Sequence, residues 1–383
     1  MKKINWDNFS SDEEILNYLR SLPRYKNTII KSAFSRAKFF IKLVYCRLFN
    51  IDKPLFIVLV TNNGCNLKCR YCYGDYGNRT TEKDYSTKEL LKIIDELESL
   101  GTQLITMHGG ESLLRKDIGE IINYAKLKGF YVSFNTNGYL VPARINDLKC
   151  VDTIVISLDG LEESNDKNRG QGCFKKVMKA IDCVTQNNIP LVISATLTKD
   201  SMHDMEALAQ LGKDKNFTVQ YSILYNFGVL KDKCSGVVMS DQEIRDIVRK
   251  IWDLKKSGFP IYYSYNVLRL AIDWPISYNK RYFTQEDDSI PPNAKLEPCY
   301  HGKLKYQIDA DGRVVTCWAH DAMNAPNIRE LGVGGAIKKC HDDNKCKYCT
   351  FLANNEHNAI MHLSPRNIWN ILCIHISDVL KIK

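Results

Sequence analysis

Apolar residues along this chain fall into two rhythms. Short continuous runs recur at residues 54–60, 103–108, 130–135, 151–158, 190–197 and 217–224, each closed by polar or glycine residues. Runs of that length bounded by turn residues predict strands buried on both faces, as in parallel sheets. Between them, helical spacing predicts helices over 86–100, 116–128, 173–187 and 202–211. Ser86 stands as an N-cap with Glu89 at the capping-box position, and Gly101 closes that helix. Strands alternating with helices at this spacing imply a parallel α/β sheet.

The chain continues beyond these six units. A loop at 225–239 carries Gly228, Cys234 and Gly236, and Ser240 caps a helix expected over 241–256. Residues 278–298 are polar and proline-rich, so they read as a linker. Residues 303–315 read as a β-hairpin turned at Asp311-Gly312.

Charge changes the picture at one place. Of the net +9, seven positive charges lie between Arg24 and Phe49 with no acid among them, leaving about +2 for the rest. Ile30, Ala33, Phe34, Ala37, Ile41, Val44 and Leu48 recur at helical spacing through the same stretch. Two readings stay open: an amphipathic helix packing its apolar face on the protein, or one lying on an anionic membrane surface through residues 24–49. Nucleic-acid binding finds no fold motif here. No uncharged apolar stretch reaches membrane-spanning length, and the first residues lack an apolar signal core, so the expectation is a cytoplasmic protein, peripheral at a membrane on the second reading.

Fourteen cysteines in such a chain point to metal or redox use rather than disulfides. Cys65, Cys69 and Cys72 sit just after the first apolar run, on the loop leaving its strand, where α/β folds place ligands. Their spacing also fits one face of a helix, but Asn62-Asn63-Gly64 before them and Gly74 and Gly77 after them oppose a helix. Zinc wants a fourth ligand, and the nearest histidine is His108. Three thiolates can hold three irons of a [4Fe–4S] cluster, leaving one open.

Cys65-x3-Cys69-x2-Cys72, with Tyr71 before the third cysteine, resembles the signature of radical S-adenosylmethionine (radical SAM) enzymes. The resemblance implies a partial (β/α)6 TIM-like barrel in which the open iron chelates the methionine part of the cofactor. A single electron then cleaves the sulfonium, and a 5′-deoxyadenosyl radical takes hydrogen from a substrate. Gly109-Gly110-Glu111 resembles the family's GGE motif, which binds the cofactor's amino group. Asn135 and Ser157 match strand-end positions that reach its ribose or carboxylate, and Arg169 is a candidate partner for that carboxylate. The family's fifth-strand glycine pattern is not visible in residues 192–197. A lone loop cysteine such as Cys234 can donate hydrogen in radical epimerases, although most such cysteines do not.

Cys299, Cys317, Cys346 and Cys349 can complete four ligands of one metal centre, with zinc in a small ribbon as the competitor. The stretch from Cys299 through Gly312 to Cys317 resembles the SPASM auxiliary-cluster module, better in its one-cluster Twitch form; Cys340 and Cys373 are alternates. The expected organisation is therefore a basic helical segment (1–51), the core barrel (52–225), connecting helices and linker (226–298), a small α+β auxiliary-cluster module (299–350) and a C-terminal helical segment (351–383). Implied partners are an external one-electron reductant such as a flavodoxin or ferredoxin, and a peptide or other small substrate. A lipid or membrane-bound glycan is the alternative substrate. From another class stands a non-catalytic iron–sulfur or zinc protein binding nucleic acid.

Overall fold

In the computed structural model, residues 4–79, 83–225, 234, 236–278, 280, 282–284, 287, 290–291, 293–317 and 324–380 are described. Gly228 lies outside them. The chain divides into two compact units, and the boundary between them falls inside one strand, after Val155. The first comprises Met1–Lys68, Gly74–Val155 and Gly302–Asn344; the second comprises Cys69–Tyr73, Ile156–His301 and Lys345–Lys383.

The predicted strands all form: β1 (Phe56–Val60), β2 (Leu104–His108), β3 (Tyr131–Thr136), β4 (Thr153–Ser157), β5 (Leu191–Leu197) and β6 (Thr218–Ile223). Helices precede and separate them: α1 (Asp12–Ser21), α2 (Ile29–Leu48), α3 (Thr87–Leu100), α4 (Ile118–Leu127), α5 (Val141–Leu148), α6 (Glu162–Arg169), α7 (Cys173–Gln186) and α8 (Met205–Lys215). Ser86 and Glu89 make both bonds of the capping box on α3, and Gly101 ends it at φ +91°.

In the first unit the strand order is β4-β3-β2-β1-β8-β9, with β8 (Lys305–Ile308) and β9 (Val314–Val315) supplied by the predicted hairpin. β1 pairs in parallel with β2 on one side and β8 on the other, so Ile57, Leu59 and Val60 are fully buried. The hairpin turns where Gly312 takes φ +96°, and β8 and β9 are antiparallel. Arg329 and the Ile328–Asp342 helix, α11, follow it.

In the second unit β4, β5 and β6 are neighbours in that order, and β5 and β6 run parallel. α9 (Asp241–Lys256) carries the Ser240 cap, with Glu243 completing a capping box, and α10 (Tyr265–Ile272) follows. The stretch 278–298 is not wholly linker. β7 (Tyr282–Thr284) pairs antiparallel with β10 (Cys346–Cys349), a strand too short to leave an alternating signature. α12 (Leu352–Met361) and α13 (Pro365–Leu380) close the chain.

α12 buries Glu356 completely, where its carboxylate accepts bonds from the Ser264 N–H and hydroxyl and from Asn367. Burial outweighs these donors and pushes Glu356 up to about 6 from 4.5. A raised folded-state value means the folded protein binds this proton more tightly. The group's stabilising contribution is thus complete below pH 4.5 and is lost as pH rises towards about 6. Glu356→Gln should remove this slope, gaining roughly 2 kcal/mol relative to the parent between pH 4 and pH 7 in paired denaturation curves.

α2 overturns one expectation. It buries Ser32, Ser35, Phe39, Leu43 and Cys46, while Ile30, Phe34, Ile41 and Leu48 are 70–80% exposed. The apolar stripe does not pack on the protein, because the helix docks by its opposite, narrower face.

Candidate functional site

The cysteine loop begins where β1 ends. Thr61 N–H still reaches the His108 carbonyl, and the loop backbone then pairs with the GGE turn: Gly110 N–H with the Asn62 carbonyl, Glu111 N–H with that of Gly64. Here the two glycines let the cysteine loop approach the GGE turn closely. A Cβ on Gly109 would stand 2.2 Å from Asn62 Oδ1, and one on Gly110 2.3 Å from the Gly64 carbonyl oxygen. Gly110→Ala should therefore push the cysteine loop away and cost about 1–3 kcal/mol, read as a lower Tm together with lower iron uptake.

Glu111 is buried and its carboxylate is already well supplied. It accepts from Leu113 N–H, Thr136 Oγ1 and Asn137 N–H at 2.8–3.1 Å, tying the end of β2 to the end of β3. Burial raises its pKa from the usual carboxylate value, and these donors oppose the rise. Asn135, at the end of β3, has its side-chain carbonyl oxygen buried without a partner. An orphaned acceptor at a strand's C-terminal end is what a donor-bearing ligand would satisfy. Ser157 ends β4 half-buried. Two residues past Asn135, Asn137 points its amide at 3.9 Å from Cys65 Sγ and bonds Asn66 Oδ1 at 2.7 Å.

In the second unit, residues 69–73 carry Cys69, Tyr71 and Cys72. Arg70 N–H bonds the Asn168 carbonyl on α6, holding this segment against that helix. Tyr71 donates its hydroxyl to Asp159, and burial with that carboxylate keeps the phenol protonated. Arg169 grips the same Asp159 through Nε at 2.5 Å and Nη2 at 2.9 Å. The fork read from sequence as a cofactor-carboxylate clamp is thus engaged by the protein's own acid. Its remaining arm, Nη1, lies 3.9 Å from Cys69 Sγ. Asp159 also accepts from Thr196 N–H, so it ties β5 to the cysteine segment. Neither Asp159 nor Asn137 is among the sequence candidates, although each lies two residues past one, Ser157 and Asn135. Asn168, fully buried, has both amide atoms without partners. Cys234 is buried beside Tyr71, Leu224 and Val237.

The later cysteines divide. Cys299, Cys346 and Cys349 come together in the second unit, where Cys299 N–H bonds the Lys347 carbonyl. Hydrogen bonds with the other two thiols hold Cys299 well below the usual thiol value, against the cost of burial. Cys317 lies in the first unit after β9, close enough to Cys340 to affect its ionisation; burial pushes Cys340 up to about 12. Cys373 is exposed and lines a cavity of about 910 Å³ walled by Trp252, Tyr265, Arg269, His362, Arg366 and Trp369.

Among the described residues no three His, Cys, Asp or Glu side chains converge as they would on a single metal ion. An iron–sulfur cluster does not ask for that convergence, since its thiolates bind different irons. The residues fit such a group: amide and guanidinium N–H groups face two of the motif thiols, favouring their anionic form.

The profile of the Radical SAM superfamily matches residues 59–212. A mycofactocin maturase, MftC, of Mycobacterium ulcerans is 31% identical over 293 residues, 73% of this chain and 72% of the relative. The chain belongs to the radical SAM superfamily. An Fe-coproporphyrin III synthase of Methanosarcina barkeri is 30% identical over 223 residues, and the chain spans 55% of that relative's length. The crystal structure of Streptococcus suis SuiB bound to its precursor peptide SuiA superposes with a TM-score of 0.61 at 18% identity. That match covers 86% of this chain and 75% of SuiB and shows a common fold. This radical SAM chain therefore has the partial barrel that the resemblance implies. Among its described residues, no helix is long and apolar enough to cross a membrane.

Proposed function

We propose that this chain abstracts hydrogen from a peptide, using S-adenosylmethionine and two [4Fe–4S] clusters. In this reading residues 52–225 are the catalytic core, Cys65, Cys69 and Cys72 hold the first cluster, and Cys299, Cys317, Cys346 and Cys349 hold the second. Residues 299–350 form the auxiliary module, joined by 226–298 and flanked by helical segments 1–51 and 351–383. When bound, the first cluster and S-adenosylmethionine supply a one-electron cleavage and a carbon radical strong enough to take hydrogen from an unactivated C–H bond.

The chain's own residues orient and shield. The observation that carries the reading is the pair of N–H donors, from Asn137 and Arg169, aimed at Cys65 and Cys69. They stabilise thiolate charge without supplying a competing ligand. Asp159 fixes Arg169 and Tyr71, so the aromatic side chain before Cys72 keeps one orientation. The unpartnered Asn135 carbonyl is a seat for a cofactor hydroxyl or ammonium. Glu111, with its oxygens engaged by β3, acts as a strut that sets where a cofactor amino group meets the GGE backbone. Four thiolates on the second cluster leave no open iron, which suits electron relay, with a flavodoxin or ferredoxin as the external donor.

A peptide is favoured because the relatives include a maturase and a peptide-bound structure. A lipid or membrane-bound glycan is the second reading, favoured by the exposed apolar face of α2. The two separate by isotope. The reconstituted protein is given S-adenosylmethionine, dithionite and either a perdeuterated peptide fraction or a perdeuterated lipid extract from the source cells. Deuterium in 5′-deoxyadenosine from the peptide fraction supports the first reading; deuterium from the lipid extract alone replaces it with the second.

A further inference from the structure

We propose that α2 is a membrane-docking helix that seats this protein on an anionic bilayer surface. The proposal is independent of which substrate the enzyme takes.

The helix is twenty residues long, from Ile29 to Leu48, with Thr28 as its N-cap. At 3.6 residues per turn, its buried residues Ser32, Ser35, Phe39, Leu43 and Cys46 fall on one face. Ile30, Phe34, Ala37, Ile41, Val44, Tyr45 and Leu48 fall on the opposite face, within a sector of about 100°. That sector is open: Ile30 is 80% exposed, Phe34 71%, Ile41 70% and Leu48 74%. Phe49, at the C-cap, extends it at 63%. Single exposed apolar residues are ordinary, but an unbroken stripe along five turns of one helix is not.

Charge identifies the occupant. On the same wheel Lys31, Lys38 and Lys42 flank one side of the stripe, and Arg36 and Arg47 flank the other. No acidic residue lies between Arg24 and Phe49, so the surface around the stripe is of one sign. Arg36 holds its guanidinium on Ser32 Oγ and over the Tyr131 ring, and Lys42 Nζ reaches the Gly101 carbonyl. Lys31 bonds the Lys26 carbonyl. The cations thus line both sides of the apolar stripe. An apolar strip between basic rails matches the acyl–headgroup boundary of an anionic leaflet, where apolar side chains enter and lysines meet phosphates. A second copy of this chain would place two basic rails against each other, which charge disfavours.

The small residues of the buried face serve this placement. Ser32 and Ser35 bring the helix close to the protein, and the large apolar residues stand outward. Exchanging the outward residues removes no core contact, so the variants should fold.

The test is flotation of the full-length protein with vesicles of phosphatidylcholine alone or mixed with phosphatidylglycerol. The intact protein should float with the anionic vesicles and not with the neutral ones. The quadruple variant Ile30→Ser, Phe34→Ser, Ile41→Ser, Leu48→Ser should bind roughly tenfold or more weakly, with unchanged Tm and iron content. Lys31→Glu with Lys38→Glu should weaken anionic-vesicle binding by roughly tenfold. Three outcomes overturn the proposal. One is no flotation with either vesicle. Another is equal flotation of parent and quadruple variant. The third is a dimer in light scattering that the quadruple variant abolishes without any vesicle binding by the parent, which would assign the stripe to a second copy.

Discussion

Replacing Cys65, Cys69 and Cys72 together by Ala is expected to abolish release of 5′-deoxyadenosine and to remove about four of about eight irons. The loss should be complete rather than graded, because a cluster held by three thiolates has no spare ligand and because no other thiol lies in that loop. The second cysteine set should be untouched: Cys299, Cys346 and Cys349 belong to other segments, tied to one another through the Lys347 carbonyl and the thiols themselves. The converse variant, Cys346→Ala with Cys349→Ala, should lose the other four irons and keep cofactor cleavage by dithionite, which bypasses a relay. Iron and sulfide analysis with chromatography of the nucleoside product reads both. Loss of all iron in either variant would mean that the two sets are not separate centres.

The second large effect concerns Asp159. Its carboxylate accepts from Arg169, Tyr71 and the Thr196 N–H, and its side chain is wholly buried. Asp159→Ala leaves the Arg169 guanidinium, itself only 11% exposed, without its counter-charge. Breaking a buried pair from one side typically costs about 3–5 kcal/mol, because the desolvated partner stays behind. The same change frees Tyr71 and the arm beside Cys69, so iron at the first centre should bind less firmly as well as the protein unfolding earlier. Asp159→Asn keeps one of the two acceptor oxygens, enough for Thr196 N–H, but loses the charge and the oxygen that Tyr71 bonds, and should fall between parent and Ala in denaturant titrations. If Asp159→Ala unfolds at the parent's midpoint, the network does not hold this segment.

Much of this was legible because it is local. Strand β1 and the cysteines after it are covalent neighbours, and the cap of α3 is spelled within sixteen residues. Asp159 was not legible as a hub, since its partners are 10 residues later in Arg169 and 88 earlier in Tyr71. Helix α6 escaped notice because Glu162–Arg169 is polar throughout. It buries Ser164, Asn165, Asp166 and Asn168, so no apolar period marks it. Gly109 and Gly110 stand in the sequence as a motif, and only the fold shows that the cysteine loop lies against their missing side chains. For α2 the sequence carried the amphipathic pattern but not which face docks. Two serines and a cysteine among its buried residues decided that against the larger apolar side chains.

The most direct test of the central claim is anaerobic reconstitution of the intact protein, with metal analysis and cofactor turnover read on one sample. The account predicts about eight irons and eight sulfides per chain, no stoichiometric zinc, and 5′-deoxyadenosine on addition of S-adenosylmethionine and dithionite. A protein that takes up zinc in place of iron at the first cysteines and releases no 5′-deoxyadenosine would contradict it.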